Sequence, residues 1–198
     1  MNILKLTKMT AVVLGLSLSS MSAYAIDWVI DTHDSQLNFI SIKKGNIAET
    51  HQFNQLNGRY DSQGQFTLDI DLASVDTKIP VRDDRMKNYL FEVNTFSTAN
   101  ISAMIDTDLV DAIAEGASQR LTIDAKLDLH GVIKPLTLDV IVTRLVGAKL
   151  SIVSSQPVII NADDFALSPG INKLMELASL PSISQAVPVS FYLTLKLK

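Results

Sequence analysis

The chain has 198 residues, 17 of them Lys or Arg and 21 Asp or Glu, a formal net charge of −4 and no cysteine. The lack of cysteine excludes disulfides, thiolate nucleophiles and cysteine-ligated zinc, and the acidic balance disfavours nucleic acid as a partner. With 47% hydrophobic residues, stability must come from burial of a core.

In chain order, the first 25 residues, "MNILKLTKMTAVVLGLSLSSMSAYA", carry Lys5 and Lys8, then an apolar run from Ala11 to Leu18, then small residues at Ala23 and Ala25. This is the pattern of a secretory signal peptide cleaved after Ala25. The apolar run is far shorter than the ~20 residues a membrane-spanning helix needs, and no second long apolar stretch follows. The expectation is one exported domain over residues 26–198 that does not span a membrane. Without a cysteine for lipid attachment, the bacterial periplasm is its expected location.

Downstream, apolar and polar residues alternate almost to the end. "IDWVID", "QLNFISI" and "HQFNQLNGRYD" show the pattern weakly, whereas "FTLDIDL" places Phe66, Leu68, Ile70 and Leu72 on one face and Thr67, Asp69 and Asp71 on the other. "ISAMIDTDLV" reads as a further strand. "LTIDAKLDL", "LTLDVIV", "KLSIVSSQPVII" and "VPVSFYLTLKL" follow, the last with Val187, Val189, Phe191, Leu193, Leu195 and Leu197 in register. Period two with one polar face predicts antiparallel strands, about nine in all, solvated outside and packed inside. Several runs are longer than the ordinary five or six residues. They predict an all-β fold, an extended up-and-down barrel whose interior is filled by side chains or holds one small ligand.

Two segments break the alternation, and each predicts a short helix. After Pro80, in "IPVRDDRMKNYLF", Met86, Tyr89 and Leu90 fall at i, i+3 and i+4, and Asp83 stands four residues before Lys87. In "SPGINKLMELA", Ser168 is placed to cap, Pro169 to open the helix, and Ile171, Leu174, Met175 and Ala178 to share a face.

Taken together, "WVIDTHDSQLNFI", "SVDTKIPVRDDRMKNYLF", "LDLHGVIKPLTLDV" and "NADDF" followed by "VPVSFYLTLKL" resemble the YceI-like exported proteins over essentially the whole mature chain. The resemblance implies a lipocalin-like barrel whose interior holds a long isoprenoid chain. Arg85 stands where many members carry histidine, and "KKGNIAETHQF" looks like a variant subgroup. Some relatives occur beside cytochrome b-type proteins, which implies a redox-linked role as one alternative.

On this basis the expected ligand is an isoprenoid or similar apolar amphiphile, such as an isoprenoid quinone. The expected lining is Phe39, Leu68, Ile70, Leu127, Leu129, Val140 and Phe191, residues that plain core packing would use equally. Arg82 and Arg85 are placed to meet a polar head group, although Arg82 and Asp83 pairing with sheet residues is the more economical use of the cluster. Tyr89, Leu90 and Phe91 are expected to reach inward as a plug. His33, His51 and His130 are scattered without metal-ligand spacing, so no metal or cofactor is expected, and His51 is the least explained of the three. Asp83–Asp84 and Asp163–Asp164 are adjacent pairs that diverge along an extended chain. No phosphate loop or nucleophile elbow appears, so the expectation is a binding protein and not an enzyme. A filled barrel acting as an interaction or stress-response module stays open, as does a homodimer.

Overall fold

The computed structural model describes residues 27–198, so the signal segment expected over 1–25 lies outside the described residues. Within them the alternating segments form twelve strands: β1 (Trp28–Ile30), β2 (Gln36–Lys43), β3 (Ile47–Phe53), β4 (Leu56–Tyr60), β5 (Gln65–Asp71), β6 (Val75–Asp76), β7 (Thr98–Met104), β8 (Ser118–Leu129), β9 (Val132–Leu145), β10 (Lys149–Ser154), β11 (Val158–Asn161) and β12 (Ala186–Leu197). Every pairing is antiparallel. β12 is the seam: its C-terminal part pairs with β10 and β1, and its N-terminal part with β11 and β2.

The strands make eight staves, since β1 with β2, β3 with β4, β5 with β6, and β10 with β11 are successive halves of broken staves. Each stave lies beside its neighbours in sequence, which is the up-and-down barrel the alternation predicts. The higher strand count comes from the breaks. Two are tight 3-10 turns, Thr32–Asp34 and Leu72–Ser74, where Asp31 accepts from the His33 amide and Asp71 from the Ala73 amide. An aspartate at these points offers the backbone a local partner and lets a long stave bend.

Three short helices, α1 (Pro80–Arg85), α2 (Thr107–Asp111) and α3 (Ser168–Leu177), lie between staves. α1 and α3 occupy the two segments where the alternation fails. α2 corrects the reading of "ISAMIDTDLV" as one strand: β7 ends at Met104, and Asp106 accepts from the Asp108 amide and starts a helix. Ser168 is likewise not a cap. Its hydroxyl donates to Asp163 (2.9 Å) and lies 3.1 Å from the Gln185 side chain, tying α3 to the segments on either side of it.

The inward set forms one continuous core, with Leu56, Leu68, Leu72, Leu150, Leu193 and Leu195 the most deeply buried. One end of the barrel is closed by α2. Val110 and Ile113 are buried there, and Arg144 donates to both of their carbonyls, at 2.8 and 2.7 Å, while lying 5.8 Å from the Trp28 ring. The opposite end carries the β2–β3 hairpin, α1 and α3.

Candidate ligand-binding interior and its mouth

Three chambers run in series along the barrel. The far chamber, about 50 Å³, lies against the closed end and is lined by Tyr60, Leu68, Val140, Leu193 and their neighbours. The middle chamber, about 140 Å³, is lined wholly by apolar side chains, among them Phe39, Ile70, Phe91, Leu127 and Leu129. The mouth chamber, about 320 Å³, lies between the hairpin, α1 and α3. Adjacent chambers share walls. Ile101, Leu138 and Phe191 separate far from middle, and Phe39, Leu90, Ile171 and Val187 separate middle from mouth.

The roof of the mouth follows from one helical irregularity. After Arg85 the chain takes a π turn over Met86–Leu90, in which the Phe91 amide donates to the Met86 carbonyl at 2.9 Å. The extra residue in the turn rotates the following side chains relative to an α-helix. Met86, Leu90 and Phe91 are therefore buried, while Tyr89 is 46% exposed. This corrects the expectation that Tyr89 reaches inward. α3 rests directly on the turn: a Cβ on Gly170 would strike the Tyr89 carbonyl and lie 2.8 Å from Leu90 Cα, so glycine is what allows this approach.

Charge holds the roof to the sheet. Arg82 donates through one terminal nitrogen to Glu49 on β3 (2.9 Å) and through the other to the Thr77 carbonyl (2.7 Å). Asp83 accepts from the Thr77 amide (2.8 Å) and hydroxyl (2.5 Å), and Lys43 also pairs with Glu49. Lys43 and Arg82 hold the Glu49 carboxyl below the usual range. Arg85 lines the same chamber, half-buried, and has no ion pair among the described residues.

The residues expected to line the interior are distributed along this series. Leu68 and Val140 lie in the far chamber, and Ile70, Phe91, Leu127 and Leu129 in the middle one. Phe191 and Phe39 stand at the two constrictions, the latter with Leu90, and Arg82 and Arg85 lie at the mouth. The histidines do not come together. His33 lies in its exposed turn, and His130 bonds Glu92 (2.9 Å) and packs at a tilt against Phe96. Among the described residues no three His, Asp or Glu form a metal-binding cluster.

His51 is the site residue that the sequence reading missed. It is 2% exposed, packs on Phe39 with centroids 5.1 Å apart, and bonds Ser41 Oγ through Nε2 at 2.8 Å. Burial first, and the Arg82 charge second, push its pKa down to about 4, so the ring is neutral near pH 7. The signal was present in the register. Period two from Phe53 carries His51 and Glu49 onto the inner face, and period two from Phe39 does the same for Ser41 and Lys43. The inward stripe turns polar toward the mouth.

A YceI-like domain model matches residues 28–195. A polyisoprenoid-binding domain from Saccharophagus degradans, implicated in plant cell wall breakdown, is 39% identical, covers 86% of this chain and 98% of its own, and superposes with a TM-score of 0.85. BcnA of Burkholderia cenocepacia is 20% identical over 83% of this chain and 98% of its own, with a TM-score of 0.64. The Campylobacter jejuni YceI protein is 14% identical over 75% and 84%, with a TM-score of 0.52. The last two show likeness of fold alone. No match was found among curated proteins. Across nearly all of its described length, in sequence and in barrel architecture, this chain belongs to the YceI-like family.

Proposed function

We propose that the chain is an exported, periplasmic carrier that takes a long isoprenoid lipid, such as an isoprenoid quinone, into its barrel and does no chemistry on it. The observation that carries this reading is the series of three chambers, apolar inside and polar only toward the mouth. The polyisoprenoid-binding neighbour supports the same ligand class. Export rests on Lys5, Lys8, the apolar run and Ala25, and among the described residues no helix is long and apolar enough to cross a membrane.

Burial supplies the driving force. Each methylene removed from water contributes about 0.8 kcal/mol, so a forty-carbon tail offers roughly 30 kcal/mol gross. That exceeds the ceiling of about 18 to 21 kcal/mol for non-covalent binding, so ordering of the tail and opening of the two constrictions consume much of it. At the mouth the charged groups Arg82, Glu49, Lys43 and Asp83 are engaged in holding the roof, which suits a binding protein better than an enzyme.

A filled barrel is the competing reading, and the small far chamber, about 50 Å³, favours it. Organic extraction of protein purified from its native periplasm, followed by mass spectrometry, separates the two. The carrier reading expects about one isoprenoid per chain, on protein whose intact mass begins at Ile26. Native protein that yields no lipid supports the filled barrel.

A further inference from the structure

Three segments frame the opening of the mouth chamber: the β2–β3 hairpin, the start of α1 and the loop after α3. Arg82 bonds Glu49 across the first two, and the hairpin is tied to the loop where the Lys44 amide donates to the Ser182 carbonyl (3.1 Å) and the Ser184 amide to the Ile42 carbonyl (2.8 Å). Each segment leaves aliphatic side chains on this frame. The inward register of β3, Phe53, His51 and Glu49, runs on to Ile47, which is 41% exposed. Ile79 and Val81 line the chamber yet are 43% and 56% exposed, and Leu180 and Ile183 line it from the loop, half-buried. The hairpin tip projects freely, since a Cβ on Gly45 would meet nothing within 4 Å.

Charge follows the same geography. Residues 43–49 and 76–87 hold six Lys or Arg against four Asp or Glu, while the rest of residues 27–198 hold nine against seventeen. Among the described residues, the charges there without an ion pair are Lys44, Arg85 and Lys87 against Asp83 and Asp84. The closed end also exposes aliphatic side chains, Leu109 and Val146, but Leu109 stands on a helix with Asp106 at its cap and Asp108 and Asp111 within it. Exposed aliphatic residues beside an excess of cations suit the surface of an anionic bilayer: the former enter the headgroup boundary and the latter are drawn to its negative potential. The carboxylates of the closed end would be repelled from it.

We propose that the rim formed by Lys44, Ile47, Ile79, Val81 and Leu180 is a docking surface for an anionic phospholipid bilayer, on which the barrel sits with its opening toward the membrane. This rests on the carrier reading above and adds to it the place where cargo is exchanged. A long tail that crosses water between bilayer and barrel loses its burial on the way, and docking removes that barrier. The contact is with the bilayer surface, outside the barrel, and does not depend on which lipid the interior holds.

The test is co-sedimentation of the full mature chain with vesicles of phosphatidylglycerol and phosphatidylethanolamine, and with vesicles of phosphatidylcholine alone. Wild type should bind the anionic vesicles about tenfold more tightly than the neutral ones, and added salt should narrow the difference. Lys44→Gln should weaken anionic binding about fivefold, the worth of one cation near such a surface. Ile47→Asp combined with Val81→Asp should weaken it about tenfold or more. Both side chains are exposed, so the unfolding midpoint of that variant should stay near the wild-type value. Leu109→Asp combined with Val146→Asp, at the closed end, should bind as wild type does. The proposal is overturned if wild type ignores the anionic vesicles, or if the closed-end pair weakens binding as much as the rim pair. It is equally overturned if the rim pair leaves vesicle binding intact and instead turns a dimer into a monomer in analytical ultracentrifugation. Isoprenoid content, measured on the same preparations, judges the carrier reading separately. A wild type that docks but never holds lipid fails the carrier reading, and one that holds lipid but does not dock fails this proposal.

Discussion

The two ends of the barrel are built from the same alternating staves, yet they solve the problem of closure in opposite ways. At the far end, α2 lies across the opening and Arg144 bonds the Ile113 and Val110 carbonyls through Nε and one terminal nitrogen, while lying over Trp28. At the mouth, Arg82 is bonded at its terminal nitrogens but not at Nε, His51 is buried with one nitrogen unpaired, and the chamber is several times larger, about 320 Å³ against 50 Å³. The closed end is held by an arginine bonded to carbonyls of the segment that covers it, and the mouth keeps the larger space.

Changes at the two ends should therefore differ in kind, and the largest effect is expected at the closed one. Arg144→Ala removes two charge-assisted hydrogen bonds to buried carbonyls and should cost about 3 kcal/mol in denaturant unfolding. A loss below about 1 kcal/mol would mean that α2 closes the barrel without it. Gly170→Ala sharpens the mouth side of the comparison. Its Cβ meets backbone atoms of Tyr89 and Leu90, so α3 must lift from the roof, at a cost of about 2 kcal/mol, and lipid should escape faster.

A third prediction concerns pH. His51 titrates near 6.5 when unfolded and at about 4 when folded. Between those values the unfolded chain binds more protons, so stability falls as pH drops from 6.5 to 4, by at most about 1.4 kcal/mol per unit. His51→Phe should flatten that slope, as measured by urea midpoints across the range. The smallest effect is expected from Tyr60→Phe in the far chamber. The Tyr60 hydroxyl is buried without a partner among the described residues, and burial pushes its pKa up to about 12. Removing it should leave stability unchanged or raise it by up to about 1 kcal/mol.

Much of this architecture is legible in the sequence because period two is a local property: "FTLDIDL" and "LTIDAKLDL" show their inner faces without any knowledge of partners. The breaks are harder to read. Asn54 and Gln55 interrupt a stave because of where it must bend around the barrel, and nothing within "HQFNQLNGRYD" announces that. α2 hides because "ISAMIDTDLV" continues the alternation while Asp106 turns the chain. Tyr89 was misplaced because α-helical spacing assumes 3.6 residues per turn and the π turn departs from it. The Arg82–Glu49 pair joins residues 33 positions apart, beyond any local pattern. His51 was within reach, since its position in the inward register of β3 is plain once the polar residues are counted along with the apolar ones.

The central claim is that the interior accepts a chain and is not simply packed. Leu129→Trp, in the middle chamber of about 140 Å³, tests it most directly when lipid content and unfolding midpoint are measured on the same preparations. The account predicts that wild-type protein carries isoprenoid, that the variant carries at least tenfold less, and that its stability changes by less than about 1 kcal/mol. A wild type without lipid, together with a variant destabilised by the 1 to 3 kcal/mol expected of an overpacked core, would contradict it.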